Sequence, residues 1–252
     1  APKAGPAPLP PAVADLLGDV RELWGAPASV IQALQLMASP DAAPDAVAAA
    51  LQRDGALADR VLRLAGASPS GGGAPPTTLK AAAVALGYPL LRRLTTAAAV
   101  LGPLLDGPGW SHALRTASTA ALLARATKTG SPDDHFTAGL VHDVGRAALS
   151  RHWPGATPGV SLGTIGACIL ERWRFPASHV ESARHEGLAP EAVEDVQLPR
   201  EALVVAAACA AVQGRGAGWA TLLRLPEPRL KEAAAQAAAL VDPVARALGG
   251  PA

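Results

Sequence analysis

Half of the residues are hydrophobic, yet aromatic residues make up only 3% of the chain. With so few large rings, the core must be filled mainly by alanine, leucine and valine, and such side chains let helices pack closely together. Runs in which β-branched residues alternate with polar ones, the usual sign of a β-strand, are nearly absent. The sequence therefore predicts an all-α fold.

Signals that begin and end helices divide the chain into segments of helical periodicity. The predicted helices cover residues 11–24, 29–37, 46–53, 56–64, 77–86, 90–101, 110–129, 132–153, 162–174, 177–185, 200–213 and 227–248. Asp45 is the predicted N-cap of the third helix, and Gly87-Tyr88-Pro89 separates the fifth helix from the sixth. A loop rich in Ser, Gly and Pro covers residues 68–76.

These boundaries predict three parts of the chain. Residues 1–26 form an N-terminal extension, in which a disordered lead-in precedes one helix. Residues 27–106 form an N-terminal helical subdomain, and residues 107–252 form a helical bundle, with the boundary in the Gly/Pro-rich turn near Gly107. A chain of 252 residues is long enough to bury a substantial core in this arrangement.

Charge and cysteine content restrict the partners and the compartment. The 22 Lys and Arg residues nearly balance the 21 Asp and Glu residues, which argues against a nucleic-acid or membrane-binding surface. No apolar stretch predicts a transmembrane helix, and residues 1–11 lack the apolar core of a signal peptide. Cys168 and Cys209 form no CxxC pair and are expected to be buried free thiols in a reducing compartment. We therefore expect a cytoplasmic protein.

The residues with the clearest chemical potential are His142 and Asp143, in the otherwise apolar segment Ala-Gly-Leu-Val-His-Asp-Val-Gly-Arg at 138–146. Imidazole nitrogen and carboxylate oxygen suit Zn, Fe, Mn or Mg, and a carboxylate can bridge two ions. A metal ion there would lower the pKa of a bound water and polarise a phosphoryl oxygen. His112 and His185 lie on other predicted helices, and the three histidines can converge in a bundle core.

Several segments, in order along the chain, resemble the HD superfamily and more narrowly its HDOD branch, the HD-related output domain. They are Trp-x-His at 110–112, the His-Asp segment at 138–146, Leu-Gly-x-x-Gly-Ala-x-x-Leu-x-x-Trp-x-x-Pro at 162–176, and upstream segments at 53–65 and 78–93. The resemblance spans residues 29–213. It implies an HD-type helical bundle preceded by the N-terminal helical subdomain of HDOD proteins, and a role as an output domain in bacterial signal transduction.

The chain departs from the HD pattern where further ligands are expected. Leu162 replaces a histidine, Glu186 replaces the second of two histidines, and the final aspartate is replaced by Cys209 or Ala208. A binuclear centre is therefore not expected, because leucine cannot bind a metal and the lost carboxylate removes both charge and a ligand.

The ligands that remain under this resemblance form a site that is vestigial or holds one ion at most. They are His112, His142, Asp143 and His185. The alternative is a hydrogen-bonded pair of His142 and Asp143 that packs the bundle without an ion. His135, His152 and His179 lack partners at ligand spacing and are expected at the surface or at helix caps.

Two functions remain in competition. The first is a non-catalytic regulatory module that binds signalling proteins or a small ligand and needs no cofactor, with room for a single divalent ion. The second is a metal-dependent phosphohydrolase acting on nucleotides or cyclic dinucleotides. Nucleic-acid binding is a third and weaker hypothesis, because the net charge is only +1.

Overall fold

The computed structural model describes residues 27–39, 41–68, 75–154 and 159–248, and these residues form helices without a single β-strand. The all-α prediction is confirmed. The helices are α1 (Ala28–Leu36), α2 (Pro44–Gln52), α3 (Gly55–Ala67), α4 (Leu79–Leu101), α5 (Gly107–Thr127), α6 (Pro132–Val141), α7 (Val144–His152), α8 (Leu162–Arg172), α9 (Ala177–Arg184), α10 (Val193–Val196), α11 (Arg200–Val212), α12 (Trp219–Leu223) and α13 (Glu227–Leu248), with a 3₁₀ turn at Pro190–Ala192. The predicted N-terminal extension lies outside the described residues.

Most predicted helices lie within a few residues of the observed bounds, because the capping residues are local signals. Asp54 begins α3 by accepting a hydrogen bond from the Leu57 amide at 2.9 Å. The predicted cap at Asp45 is wrong: Pro44 occupies the first position of α2, and Asp45 lies in the first turn, where it pairs with Lys80. The sequence signals also do not predict α10, α12 or the 3₁₀ turn.

The break predicted at 87–89 is present as a kink within α4. Gly87 has φ 71° and ψ 162°, and Pro89 follows inside the helix. The positive φ is readily adopted only by glycine, and proline removes one backbone donor from the helix. The Tyr88 hydroxyl donates a hydrogen bond to the carbonyl of Ala42, which ties the kink to the segment before α2.

Helix α5 is the centre of the fold, with α6, α11 and α13 packed along it. The hydrophobic core is divided into two clusters. One reaches from α1 through α9 and includes the end of α13, and the other lies between α5, α6, α11, α12 and α13. Arg115 of α5 donates two hydrogen bonds of 2.7 Å to the Asp242 carboxylate, which fastens α13 to the central helix. No helix within the described ranges combines the length and the hydropathy needed to cross a membrane.

Two glycines allow helices to meet backbone against backbone beside the His-Asp segment. A Cβ atom at Gly139 of α6 would lie 2.8 Å from the Cα atom of Ala117 in α5. A Cβ atom at Gly145 of α7 would lie only 2.1 Å from the carbonyl oxygen of Leu162 at the start of α8. Because these neighbours are backbone atoms, a side chain at either position would force the helices apart.

Two histidines expected at the surface are buried instead. His135 of α6 and His179 of α9 are each only 1% exposed, so the surface prediction is wrong for both. Nδ1 of His135 lies 2.8 Å from the Ser131 carbonyl oxygen, whereas Nε2 of either ring has no hydrogen-bond partner among the described residues. Burial, the nearby Arg93 of α4 and His135 lower the pKa of His179 to about 3.

We predict that Gly145→Ala destabilises the protein by about 2 kcal/mol or more, since the new methyl group overlaps the backbone of α8. The free energy of unfolding from urea titration measures this loss. Gly55→Ala is the matched control, because a Cβ atom at Gly55 meets nothing within 4 Å. The control is expected to be neutral or stabilising by up to about 1 kcal/mol. Equal stability of the two variants would contradict the packing argument.

We predict that His179 makes the fold sensitive to acid. The unfolded chain takes up a proton near pH 6.5, whereas folded His179 resists protonation down to about pH 3. The unfolded state therefore binds more protons in this window, and stability falls as the pH drops below 6.5. Between pH 7 and pH 5 the loss from this residue is about 2 kcal/mol.

Urea unfolding of the wild type and of His179→Gln at the two pH values tests this sensitivity. The pH-dependent loss should shrink by about 2 kcal/mol in the variant. Val180→Ala, at the next residue of α9, is the control: it removes buried apolar atoms but no titratable group, so it should lower the stability equally at both pH values. A His179 variant with the full wild-type pH dependence would show that another group is responsible.

Candidate metal centre

The predicted helix 132–153 is broken at the His-Asp pair itself. Helix α6 ends at Val141 and α7 begins at Val144, so the prediction of one continuous helix is wrong. His142 keeps helical dihedrals, whereas Asp143 has φ −104° and ψ 20° and turns the chain into α7. The pair therefore lies at a corner between two helices, next to the central helix α5.

His142 is only 3% exposed, and its ring has a fixed hydrogen-bonding pattern. Nδ1 lies 2.7 Å from the carbonyl oxygen of Gly139, and since a carbonyl can only accept, Nδ1 carries the proton. Nε2 then holds a lone pair, and it has no hydrogen-bond partner among the described residues. Burial lowers the pKa of His142, so the ring stays neutral at physiological pH.

Two further donors converge on this ring from other helices. Nε2 of His112, in α5, lies 3.9 Å from Sγ of Cys209, in α11, and the His112 and His142 ring centroids are 5.2 Å apart. One donor atom from each of the three residues lies within 4.8 Å of the other two. Within the described part of the chain, they form the group of three His, Cys, Asp or Glu side chains whose spacing suits one ion. We call His112, His142 and Cys209 the trio.

Asp143 lies beside the trio but outside it. Its Oδ1 accepts a hydrogen bond of 3.1 Å from Nε of Arg146, whose other end donates to Glu186 at 2.5 Å. Burial, together with the negative charge of Glu186, raises the pKa of Asp143 to about 6. The structure thus places this carboxylate in a charged network with Arg146.

His185 also lies outside the trio. Its Nε2 is 3.4 Å from Oε2 of Glu181, one helical turn earlier. It shares with His142 and Cys209 the lining of a small cavity of about 170 Å³. Of the four predicted ligands, the structure therefore brings together His112 and His142, and it places Asp143 and His185 nearby with other partners.

Cys209 is the site residue that the sequence analysis missed as a donor. Either Cys209 or its neighbour Ala208 replaces the final aspartate of the HD pattern, and this replacement suggested only the loss of a ligand. Both cysteines are buried free thiols, as predicted. Cys209 differs from Cys168 because the imidazoles of His112 and His142 lie next to it. This proximity arises from the packing of α11 against α5 and is not visible in the sequence.

The trio fits a single metal ion. In tetrahedral zinc sites, with Zn–N of about 2.0–2.1 Å and Zn–S of about 2.3 Å, neighbouring N and S donors lie about 3.6 Å apart. The His112–Cys209 distance of 3.9 Å is close to this value, within reach of side-chain rotation. Nε2 of His142 is a buried metal-binding atom with a free lone pair. No described residue forms a hydrogen bond with it.

Burial keeps the trio uncharged. It lowers the pKa of His112 to about 4, with a further contribution from His142. It raises the pKa of the Cys209 thiol to about 12, and the negative charge of Asp143 acts in the same direction. Two neutral imidazoles and a thiol thus form the interior of the site, and a cation that binds there must displace the thiol proton.

A larger cavity of about 910 Å³ opens beside the trio, within the size range of small-molecule sites. It lies between the end of α4, the start of α5 and the corner between α6 and α7. His112 and Asp143 line it together with Arg146, Arg151 and Arg215. The cavity therefore joins the N-terminal helices to the candidate metal centre.

Solved structures with the same fold are found in bacteria. A candidate phosphohydrolase from Shewanella amazonensis SB2B is similar with a TM-score of 0.70 at 24% identity, covering 94% of this chain and 98% of that one. A candidate metal-dependent phosphohydrolase from the same organism has a TM-score of 0.66 at 18% identity, covering 93% and 99%. An HDOD domain protein of unknown function from Geobacter sulfurreducens has a TM-score of 0.54 at 22% identity, covering 94% and 96%. These similarities confirm the HD-like helical fold.

No protein of curated function matches the chain in sequence. The sequence model of the HDOD domain matches residues 23–161, which is more than half of the 252 residues. The matched region contains His112, His142 and Asp143. The chain belongs to the HDOD domain family.

Proposed function

We propose that this chain is a non-catalytic regulatory module that acts by binding a signalling partner or a small ligand. The proposal is supported mainly by the small number of metal-binding side chains around the His-Asp corner. Within the described residues, one trio is spaced to hold an ion. Phosphoester hydrolysis by two ions requires donors on both sides of a bridging carboxylate, with the ions about 3.5–4 Å apart.

The residues that would support a second ion are engaged elsewhere or lack donor atoms. Asp143 is hydrogen-bonded to Arg146, whose guanidinium also binds Glu186. Leu162 stands where HD enzymes place a histidine, and its carbonyl packs against Gly145. If a single ion is bound, His112 and His142 would hold it, and it would supply Lewis acidity next to the larger cavity.

The larger cavity favours an anionic small ligand. Three arginines line it, against the carboxylates of Asp106 and Asp143. Arg151 and Arg215 are exposed and form no ion pair with a carboxylate of the described residues, so their charges are available to a phosphate or carboxylate group. A ligand bound there would contact both the α4–α5 connection and the α6–α7 corner. If these two parts move relative to each other, such a ligand would favour one conformation of the chain over another, which is how a ligand regulates a protein.

The alternative is a metal-dependent phosphohydrolase acting on nucleotides or cyclic dinucleotides. It is favoured by the retention of His112, His142 and Asp143 around one corner. Two of the structural neighbours also bear phosphohydrolase names. The two functions differ in one measurable respect, which is turnover.

We predict that the purified chain does not hydrolyse phosphoesters. Incubation with bis(p-nitrophenyl) phosphate, dGTP or cyclic di-GMP in the presence of Mn²⁺, Fe²⁺, Mg²⁺ or Zn²⁺ should release product no faster than the metal-containing buffer alone. The reason is the shortage of donors for a second ion. His142→Ala should be indistinguishable from the wild type. Turnover that His142→Ala abolishes would establish the alternative.

We predict that phosphate-bearing ligands stabilise the chain through Arg151 and Arg215. Inorganic pyrophosphate and GTP, tested separately by thermal shift and calorimetry, should raise the Tm of the wild type. The variant Arg151→Gln/Arg215→Gln should bind both probes roughly tenfold or more weakly. The reason is the loss of two charge-assisted contacts of about 1 kcal/mol each.

The control for this experiment removes the same charge elsewhere. Arg224 and Arg229 are exposed residues near α12 and α13, and neither lines the cavity. The variant Arg224→Gln/Arg229→Gln should bind both probes as the wild type does. Equal losses in the two double variants would indicate nonspecific attraction, and a wild type that binds neither probe would contradict an anionic ligand.

A further inference from the structure

We propose that Cys209 completes a site for one zinc ion with His112 and His142. This inference goes beyond the regulatory role and does not depend on it. The proposed ligand set also differs from the one that the HD resemblance implies, because a thiolate of α11 takes the place of Asp143 and His185. Three features of the site favour zinc: the unpartnered nitrogen of His142, the orientation of its ring and the chemistry of the three ligand atoms.

The first observation is the buried lone pair of His142. The residue is 3% exposed, and Nε2 has no hydrogen-bond partner among the described residues. Buried polar atoms in folded proteins nearly always have a partner, because leaving one unpaired costs about 1–3 kcal/mol. Nε2 of His135, His152 and His179 also lacks a partner among the described residues, but of these four histidines His142 is the one that belongs to a group of three side chains spaced for one ion. A cation bound among His142, Nε2 of His112 and Sγ of Cys209 supplies the missing partner.

The second observation is that the His142 ring is already oriented as metal-binding histidines are. Its Nδ1 donates to the Gly139 carbonyl at 2.7 Å. Histidine ligands usually donate the proton of the other ring nitrogen to a carbonyl or carboxylate, which fixes the tautomer and presents the free nitrogen to the ion. This outer hydrogen bond comes from the last turn of α6, so the backbone itself positions the ligand.

The donor types select the metal. Two imidazole nitrogens and one thiolate sulfur form a borderline-soft set that favours Zn²⁺ over Mg²⁺ or Mn²⁺, which prefer oxygen ligands. Binding forms two Zn–N bonds and one Zn–S bond, and the Cys209 proton leaves to solvent, so no oxidant or reductant is needed. Cys209 lies at or next to the position of the final aspartate of the HD pattern, so it offers a sulfur ligand where that pattern offers an oxygen ligand.

The same geometry argues against the ligand set of the resemblance. Asp143 is held by Arg146, and His185 faces Glu181 at 3.4 Å. Three protein ligands leave the fourth tetrahedral position without a protein donor, as in sites where zinc also contacts water or a ligand. His112 lines the larger cavity, from which such a ligand can approach.

The test uses the purified full chain, stripped with a chelator under reducing conditions and then loaded with Zn²⁺ or Co²⁺. Elemental analysis is expected to give one zinc per chain. The cobalt form should show the sulfur-to-cobalt charge-transfer absorption of a thiolate ligand, together with the strong visible bands of tetrahedral Co²⁺. Neither readout depends on activity or on an anionic ligand, so failure here and failure of the regulatory proposal are separate results.

Variants of the two cysteines show which of them supplies the sulfur ligand. Cys209→Ser should lose the charge-transfer band and bind zinc at least about 100-fold more weakly, whereas Cys168→Ser, at the other buried thiol, should retain both properties. Asp143→Asn and His185→Gln should keep one zinc and the band. Circular dichroism of the Cys209 variant checks that it is folded. If the wild type binds no zinc, if the band survives in Cys209→Ser, or if Asp143→Asn and His185→Gln abolish binding, the proposal is wrong.

Discussion

The distance at which α5 and α6 cross determines the geometry of the candidate metal centre. Gly139 meets Ala117 so closely that a Cβ atom would lie 2.8 Å from the neighbouring Cα. A larger residue at either position would move α6 away from α5 and separate the rings of His112 and His142. The carbonyl of Gly139 also accepts the proton of His142 Nδ1. A single glycine thus sets both the spacing of the two histidines and the nitrogen that His142 presents to the site.

Charge is arranged in two zones around this crossing. The inner zone is the trio, whose imidazoles and thiol are kept neutral by burial. The outer zone is the network in which Arg146 binds the carboxylates of Asp143 and Glu186. The resemblance implies that HD enzymes use the aspartate of the His-Asp pair to hold metal ions, whereas here its carboxylate accepts a hydrogen bond from a guanidinium. The chain thus differs from the HD pattern in the partner of this aspartate as well as in the residues at positions 162 and 186.

Local sequence signals predict the bounds of the helices better than they predict which residues form the candidate metal centre. Capping residues such as Asp54 and Ser161 act within one turn, so the helix bounds could be predicted within a few residues. The break at Asp143 could not, because neither proline nor a helix-ending glycine marks it, and the corner allows the close packing of α7 against α8. The burial of His135 in α6 and of His179 in α9 likewise depends on the packing of α6 against α9 and α4. The tertiary packing also decides that Cys209 of α11 faces His112. A cysteine at or next to the position of an expected carboxylate ligand is nevertheless a sequence signal that could have been used.

The trio and the larger cavity share residues, and this sharing has a consequence for regulation. His112 belongs to the trio and lines the cavity, and Asp143 lines the cavity while its charge acts on Cys209. If the trio binds an ion as proposed, a ligand that contacts these two residues would change the environment of that ion, and the ion would hold α11 against α5. Two sites coupled in this way influence each other's affinity equally, as thermodynamic linkage requires. On these two proposals, the same corner would make partner or ligand binding depend on whether a metal ion is present.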